Sequence, residues 1–383
     1  MSATIGVTPQ MFGAKGDGIN NDTNAVQAAI NFASSNENKT VFLPGGIYSV
    51  RNLVLKKNVS LVGEGENSIL KADPSCKTWD GIMYSESGTS ISNVVFDGNK
   101  PVIPGNTHEG VVLIWIENSS NVTISDCVLQ NNWYLGICLK NSKDITIDSN
   151  ELINIDCGIL TASYPSSNIT INNNYFDGAE YSEPISIYGM KDGYHENITI
   201  TNNIIKNHTK GSGIALRAVR KVTVTNNTID NCCTGIYTYS VTYSDKKYGV
   251  YDAVIKNNTI TNSVAEGMLL SNLNESEVND NSIENSGSYG ILTREVSKSN
   301  IKNNKVSIPS ITGKPFHGYA MTLNGLKESV ISDNAIITEN KYSADRRPIV
   351  IASTSENNVF SSNSFMIDFA EVYRSLGKNN SIQ

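Results

Sequence analysis

The sequence predicts an all-β chain wound as a right-handed parallel β-helix with a short N-terminal capping helix. Three observations point there: an eight-residue pattern that recurs along most of the chain, a base period of 23 to 24 residues, and a second short strand that accompanies each copy. The pattern is apolar-x-apolar-x-x-Asn-x-apolar. It reads Ile145-Thr-Ile147-Asp-Ser-Asn150-Glu-Leu152 and Ile169-Thr-Ile171-Asn-Asn-Asn174-Tyr-Phe176, then recurs around Asn203 and Asn227. Looser copies carry Asn258, Asn281, Asn304, Asn334 and Asn363, and an earlier one has Cys127 in the Asn slot. From Cys127 onward the slots lie 23, 24, 29, 24, 31, 23, 23, 30 and 29 residues apart. A fixed period of this length marks a solenoid. One turn of three short strands and three bends accounts for it, and the leucine consensus of the similarly long leucine-rich repeat is absent.

Each element has its own reason. Ile-Thr-Ile alternation puts one face of a strand inward and the other outward. The recurring Asn suits a bend, because it tolerates left-handed backbone and can bond its own main chain. Stacked at roughly 4.8 Å, such side chains can also bond up and down a column. The many Asn-x-Ser/Thr triplets follow from this repeat and are not read as glycosylation signals. The companion strand usually opens with Gly, as in Gly136-Ile-Cys-Leu139, Gly213-Ile-Ala-Leu216, Gly235-Ile-Tyr-Thr238 and Gly267-Met-Leu-Leu270. A solenoid exposes its core at each end and needs caps. Val26, Ala29, Ile30 and Ala33 stand at helical spacing within Thr23 to Ser34, with Asp22 or Thr23 as N-cap, so a short amphipathic helix is expected over the first rung. The chain is therefore read as one domain over 1–383: an opening segment and cap over 1–40, rungs over 41–367, and a C-terminal closure over 368–383.

Composition narrows the function. The formal net charge of −7 argues against a nucleic-acid partner. No apolar run approaches the eighteen residues of a membrane helix, so no membrane partner is expected. The first residues lack the basic end and apolar core of a secretory signal. Either the chain is not exported by that route, or it is a mature or engineered form whose signal is missing. Cys76, Cys127, Cys138, Cys157, Cys232 and Cys233 form no Cys-x-x-Cys pair, and are read as small buried core residues and not as zinc ligands.

The first hundred residues resemble a known family. Val7-Thr-Pro-Gln-Met-Phe-Gly-Ala-Lys-Gly-Asp-Gly18, Asn21-Asp-Thr23, Ala25-Val-Gln-Ala-Ala-Ile30, Val41-Phe-Leu-Pro-Gly-Gly-Ile-Tyr48, Leu61-Val-Gly-Glu-Gly65 and Val95-Phe-Asp-Gly-Asn99 are similar to the opening of the pectate-lyase-3 superfamily. That group includes phage tail-spike depolymerases, alginate- and pectin-active enzymes and mannuronan C5-epimerases. The resemblance implies a carbohydrate polymer as substrate, an extracellular or virion-associated setting, and a monomer or homotrimer; it leaves the reaction open. The epimerase module carries Asp-Pro-His on one rung, but Gly136-Ile137-Cys138-Leu139-Lys140 has Cys and Lys there. The polygalacturonase group needs paired aspartates and Gly-His-Gly. Only Phe316-His317-Gly318 comes near, and no Asp-Asp pair exists.

The candidate site follows from the outward positions of the Gly-opened strand. If Ile137 and Leu139 face inward, Lys140 faces out, and the same column holds Tyr188, Arg217, Tyr239, Ser271 and Arg294. Glu183, Glu266 and His317 lie at the mouth of that strand. Longer turns around Tyr181 to Glu196, Tyr239 to Asp252, Ile308 to His317 and Glu339 to Arg347 could wall a groove, and long loops on a rigid scaffold tend to carry function. The first two are rich in tyrosine, with Tyr194, His195, Tyr243, Tyr248 and Tyr251 among them. Those rings either stack on sugars or pack the loops down.

Two chemistries fit. In a lyase, Arg217 or Arg294 neutralises a uronate carboxylate, and Tyr239, Tyr188 or Lys140 moves the proton. In a hydrolase two carboxylates flank the bond, roughly 5 to 9.5 Å apart. Glu183 and Glu266, three rungs or about 14 Å apart, are too distant, and Glu266 with Glu295 one rung away is the better pair, provided both face the groove. Arg217, Tyr239, Glu266 and Arg294 are thus the catalytic candidates, and Lys140, Glu183, Tyr188, Tyr243 and His317 the substrate-binding ones. The leading expectation is a polysaccharide lyase with no cofactor, although calcium held by groove carboxylates is compatible with the sequence. The alternatives are a glycoside hydrolase on the same fold, or a non-catalytic glycan-binding or phage-tail-like β-helix.

Overall fold

The structure is a computed structural model that describes residues 6–106, 108–178, 182–189, 193–308, 319–338, 349–365, 373–375 and 377–382. Contacts divide the chain into two compact units, Met1–Ser186 and Ile187–Gln383. Each is a stack of parallel strands, as a right-handed parallel β-helix requires. In the first, Gly81–Ser85, Val112–Glu117, Val128–Lys140 and Glu151–Ser163 pair in parallel, one per turn. In the second, Ile214–Arg217, Ile236–Tyr239, Met268–Ser271, Ile291–Ser297 and Met321–Lys327 do the same.

The turn has the expected three strands, for example Ile214–Arg217, Val219–Thr225 and Thr228–Cys232. Its corners are more numerous than the three expected. Ala218, Lys221, Asn226 and Asn231 all have positive φ, and so do Asn272, Glu275, Asp280 and Asn285 on a later turn. The predicted role of the repeated Asn is also corrected. The left-handed residue is the one before it: Ser149, Asn173, Asn202, Asn226 and Asn257 have φ near 55°. That corner turns the following side chain inward, so Asn150, Asn174, Asn203, Asn227 and Asn258 are buried.

There the amides form the anticipated column. Asn227 Nδ2 donates to Asn258 Oδ1 at 3.0 Å, Asn258 to Asn281 at 2.9 Å, Asn281 to Asn304 at 2.9 Å and Asn304 to Asn334 at 3.0 Å. Each Oδ1 also accepts the main-chain N–H of the preceding rung's Asn, and each Nδ2 reaches a carbonyl of that rung. The amides thereby satisfy main-chain groups that the corner takes out of the ladder, where an unpaired buried donor would be costly. The Gly that opens the companion strand has a steric cause. A Cβ on Gly235 would lie 2.4 Å from the Ile260 side chain and 2.5 Å from the Gly267 carbonyl oxygen.

The capping helix forms over Thr23–Ser35 and buries Val26, Ala29, Ile30 and Ala33. Asp22 is its N-cap by position, yet its carboxylate accepts instead from the main-chain N–H of Lys15 and Gly16, at 2.7 and 2.9 Å. Strand pairing continues past Asp368: Tyr373–Ser375 pairs with Ile349–Ile351, and Ser381–Ile382 with Val359–Ser361. No helix among the described residues is long and apolar enough to cross a membrane.

All six cysteines are free, and all but Cys233 are buried. Burial pushes the thiols of Cys76, Cys127, Cys138 and Cys232 up to about 12, which suppresses the reactive thiolate. A thiol reagent on the native protein is therefore expected to titrate Cys233 first and the other five only on unfolding. Rapid reaction of two or more thiols in the folded protein would contradict this packing.

Candidate active site

The second unit carries the site. Strand register places Arg217 opposite Tyr239, the pairing of Ile236–Tyr239 with Met268–Ser271 carries that line to Ser271, and Ser271 lies opposite Arg294 and Arg294 opposite Asn324. Tyr188 joins through its ring. The Arg217 guanidinium carbon lies 3.6 Å from the Tyr188 ring centroid and 3.7 Å from that of Tyr239. The cation is therefore clamped face-on between two phenols, both only partly buried. A guanidinium held this way loses the freedom to rotate its plane, and its Nε is buried beneath the strip.

The clamp has a third aromatic member that the sequence reading passed over. Tyr237 stacks on Tyr239, with centroids 4.4 Å apart and planes at 13°. The signal was available, since Ile236-Tyr-Thr-Tyr239 alternates and puts both tyrosines on the outward face. Tyr289 and Tyr319 stack on neighbouring rungs at 6.3 Å and extend the aromatic surface.

Glu266 is not part of the clamp. Its level in the stack is that of Thr234, whose Oγ1 donates to its carboxylate at 3.0 Å. Tyr239 lies five residues further along, about 16 Å at the usual strand rise. Glu266 thus occupies the opposite rim of the sheet from Arg217, with Ala215, Tyr237, Leu269 and Leu292 aligned between the rims. The Glu266–Glu295 pair is not brought together either. Glu295 has φ +56°, forms the corner that ends the strand at Arg294, and pairs with Lys247. Alternation restarts at such a corner, so the condition that both carboxylates face one groove is not met by counting along the strand. Arg294 is exposed and three rungs from Arg217, about 14 Å, so one carboxylate cannot engage both.

The remaining candidates fall elsewhere. Lys140 is in the first unit, where Glu117 holds its ammonium at 2.6 Å and the Tyr164 ring lies 5.6 Å away. The Glu117 hydrogen bond raises its pKa, and an ammonium so held is a poor base. Glu183 also belongs to the first unit. Tyr243 is on a two-stranded hairpin, Val241–Tyr243 with Lys246–Tyr248. His317 lies outside the described residues, as do Tyr181 and the turn over 339–347. Of the other loop aromatics, Tyr248 is buried and meets Tyr194 edge-on at 5.2 Å, while Tyr194 in turn meets Tyr251 at 5.8 Å and lies under Arg220 at 4.4 Å. His195 is fully buried. For these residues packing the loop down is the observed role. Among the described residues, no group of three or more His, Cys, Asp or Glu is placed to hold a metal ion.

A rigid solenoid sheet that displays an aromatic-clamped cation defines a β-helix with an outward-facing polar and aromatic strip. The chain belongs to the right-handed β-helix family: the family description "Right handed beta helix region" matches residues 66–211, 180–306 and 212–382. Residues 10–87 match a second description, "Rhamnogalacturonase A/epimerase, pectate lyase-like". The chain is 39% identical over 104 residues to alginate lyase 7 of Azotobacter vinelandii, covering 23% of this chain and 12% of that one. It is 30% identical over 186 residues to the preneck appendage protein of Bacillus phage PZA, covering 44% and 20%. It therefore spans about a tenth to a fifth of the length of these relatives. The catalytic unit of a GH87 alpha-1,3-glucanase from Streptomyces thermodiastaticus shares the fold, with TM-score 0.72 and 14% identity, over 97% of this chain and 70% of that one.

Proposed function

We propose that the protein is a polysaccharide-cleaving enzyme that acts by β-elimination on a uronate-containing polymer lying across the strip. The observation that carries this reading is the Tyr188–Arg217–Tyr239 clamp. The fixed guanidinium edge receives the uronate carboxylate through paired charge-assisted hydrogen bonds and withdraws charge from it, which acidifies the neighbouring C5–H. Tyr239, reacting as the phenolate, takes the C5 proton and becomes the phenol, and the C5–H electrons form the C4–C5 double bond. The C4–O bond breaks, and Tyr188 returns a proton to the departing oxygen. Glu266, Tyr289 and Tyr319 on the far rim hold other parts of the chain. Similarity to an alginate lyase over 104 residues supports a uronate substrate. An extracellular or virion-associated setting fits the phage appendage relative.

Two substitutions separate elimination from hydrolysis. Tyr239→Phe is expected to lower kcat about a hundredfold or more, the usual worth of a positioned proton-transfer group. Glu266→Gln should mainly raise KM, by about tenfold or less, because it touches bound polymer without moving a proton. The reverse pattern, with Glu266→Gln abolishing turnover and Tyr239→Phe neutral, would transfer the chemistry to a carboxylate and overturn the lyase reading. The phage relative also motivates a second reading, a glycan-binding appendage without turnover. It predicts saturable binding, no product, and a trimer in solution.

A further inference from the structure

Past the corner that ends the Arg217 strip, the second unit carries an open cleft of about 620 Å³ that neither the strip nor the relatives account for. Its floor is one column of outward side chains. Tyr251 stands opposite Asn274 and Asn274 opposite Ser297, then Ser297 opposite Lys327, Lys327 opposite Glu356 and Glu356 opposite Lys378. These are five steps along the stack, about 24 Å at the strand spacing. One wall is the hairpin, whose Lys247 reaches over to Glu295. An open groove of this length, running with the helix axis, matches a linear polymer better than a compact cofactor.

The chemistry of the lining is graded. At one end Asn274 and Ser297 form a hydroxyl-and-amide floor, with Ser297 Oγ donating to Asn274 Oδ1 at 2.7 Å. At the other end Lys327 meets Glu356 at 3.0 Å, and Lys378 stands one rung beyond Glu356. Counting the charged lining, Lys247, Lys327 and Lys378 against Glu295 and Glu356 give 3 − 2 = +1. The whole chain carries −7. Lys247 and Lys327 are paired with Glu295 and Glu356, so the surplus charge lies at the Lys378 end, where an anionic guest is favoured and the exposed Lys327 can turn to meet it.

We propose that this groove is a second, non-catalytic binding site for a linear acidic oligosaccharide, whose carboxylates meet Lys327 and Lys378 and whose hydroxyls meet Asn274 and Ser297. The proposal does not rest on the cleavage reading, because the groove lies around the corner from Arg217. Tetramers of galacturonate and of mannuronate, with a neutral glucose tetramer for comparison, are titrated into the Arg217→Ala protein while amide hydrogen exchange is followed. At least one uronate tetramer is expected to protect residues 272–274 and 295–297, and the neutral tetramer to bind about tenfold more weakly. The double substitution Lys327→Ala/Lys378→Ala should weaken uronate binding by about tenfold or more, and unchanged melting would show that these exposed positions leave the fold intact. Protection that persists in a wild-type protein making no product supports the groove independently of catalysis. Exchange unchanged at these residues with both uronates, or an affinity unaltered by the double substitution, overturns it, whether or not the polymer is cleaved.

Discussion

Arg217→Ala is expected to reduce kcat/KM on a cleaved uronate polymer by about a thousandfold, the upper part of the range for removing one preorganised charge stabiliser. The loss falls mainly on kcat, because the carboxylate needs the cation most as charge develops on the substrate. Arg217→Lys should recover less than about a tenth of the lost activity. An ammonium keeps the charge but cannot stack between Tyr188 and Tyr239 or offer two parallel donors. The fold should withstand either change, since two partly exposed cation–π contacts are worth only about 0.5–2 kcal/mol each. Far-ultraviolet circular dichroism and melting, measured beside the kinetics, distinguish lost chemistry from lost structure. A fully active Arg217→Ala protein would remove the clamp from the mechanism.

The largest stability effect is expected in the amide column. Asn258 Oδ1 accepts from the main-chain N–H and the Nδ2 of Asn227, both at 3.0 Å. Its Nδ2 donates to the Val224 carbonyl and to Asn281 Oδ1, both at 2.9 Å. Asn258→Ala removes all four bonds. Asn281 Oδ1 keeps the main-chain N–H of residue 258, and Asn227 Nδ2 keeps the Ile200 carbonyl. The buried Asn227 main-chain N–H, however, loses its acceptor, at about 1–3 kcal/mol for the stranded group before relaxation. A net loss of about 3 kcal/mol or more is expected in denaturant unfolding, with a cavity adding to it. Asn258→Asp should be nearly as damaging at neutral pH. It retains one acceptor but turns a second carboxylate oxygen toward the Val224 carbonyl and Asn281 Oδ1, which are both acceptors. A loss below about 1 kcal/mol for either variant would mean that the column is ornamental.

The column was legible because it repeats. An apolar pair, a corner and a buried amide recur at every rung, so period alone locates Asn150 through Asn363, and register then aligns Arg217, Tyr239, Ser271 and Arg294. The failures have one physical source, the left-handed corners. A residue with φ near +55° resets which face the next side chain takes, so the ladder Asn was mistaken for the corner itself. Glu295 is itself such a corner, so the condition that it and Glu266 both face the groove could not be read by counting along the strand. The hairpin Val241–Tyr243 with Lys246–Tyr248 was read only as a long turn, although the adjacent left-handed pair Ser244 and Asp245 is what closes it. Loop tyrosines were ambiguous for a different reason. A ring that stacks on sugar and a ring that packs on a neighbour have the same sequence, and only the contacts of Tyr194, Tyr248 and Tyr251 decide between them.

The polymer-cleaving proposal meets its most direct test when the protein is incubated with a panel of acidic and neutral polysaccharides, with ultraviolet absorbance and reducing ends read on the same samples. Elimination at the Arg217 clamp predicts that both rise together on a uronate polymer, because each cleavage creates one unsaturated sugar and one new reducing end. New reducing ends without absorbance would contradict elimination, and silence in both readouts across the panel would contradict cleavage itself.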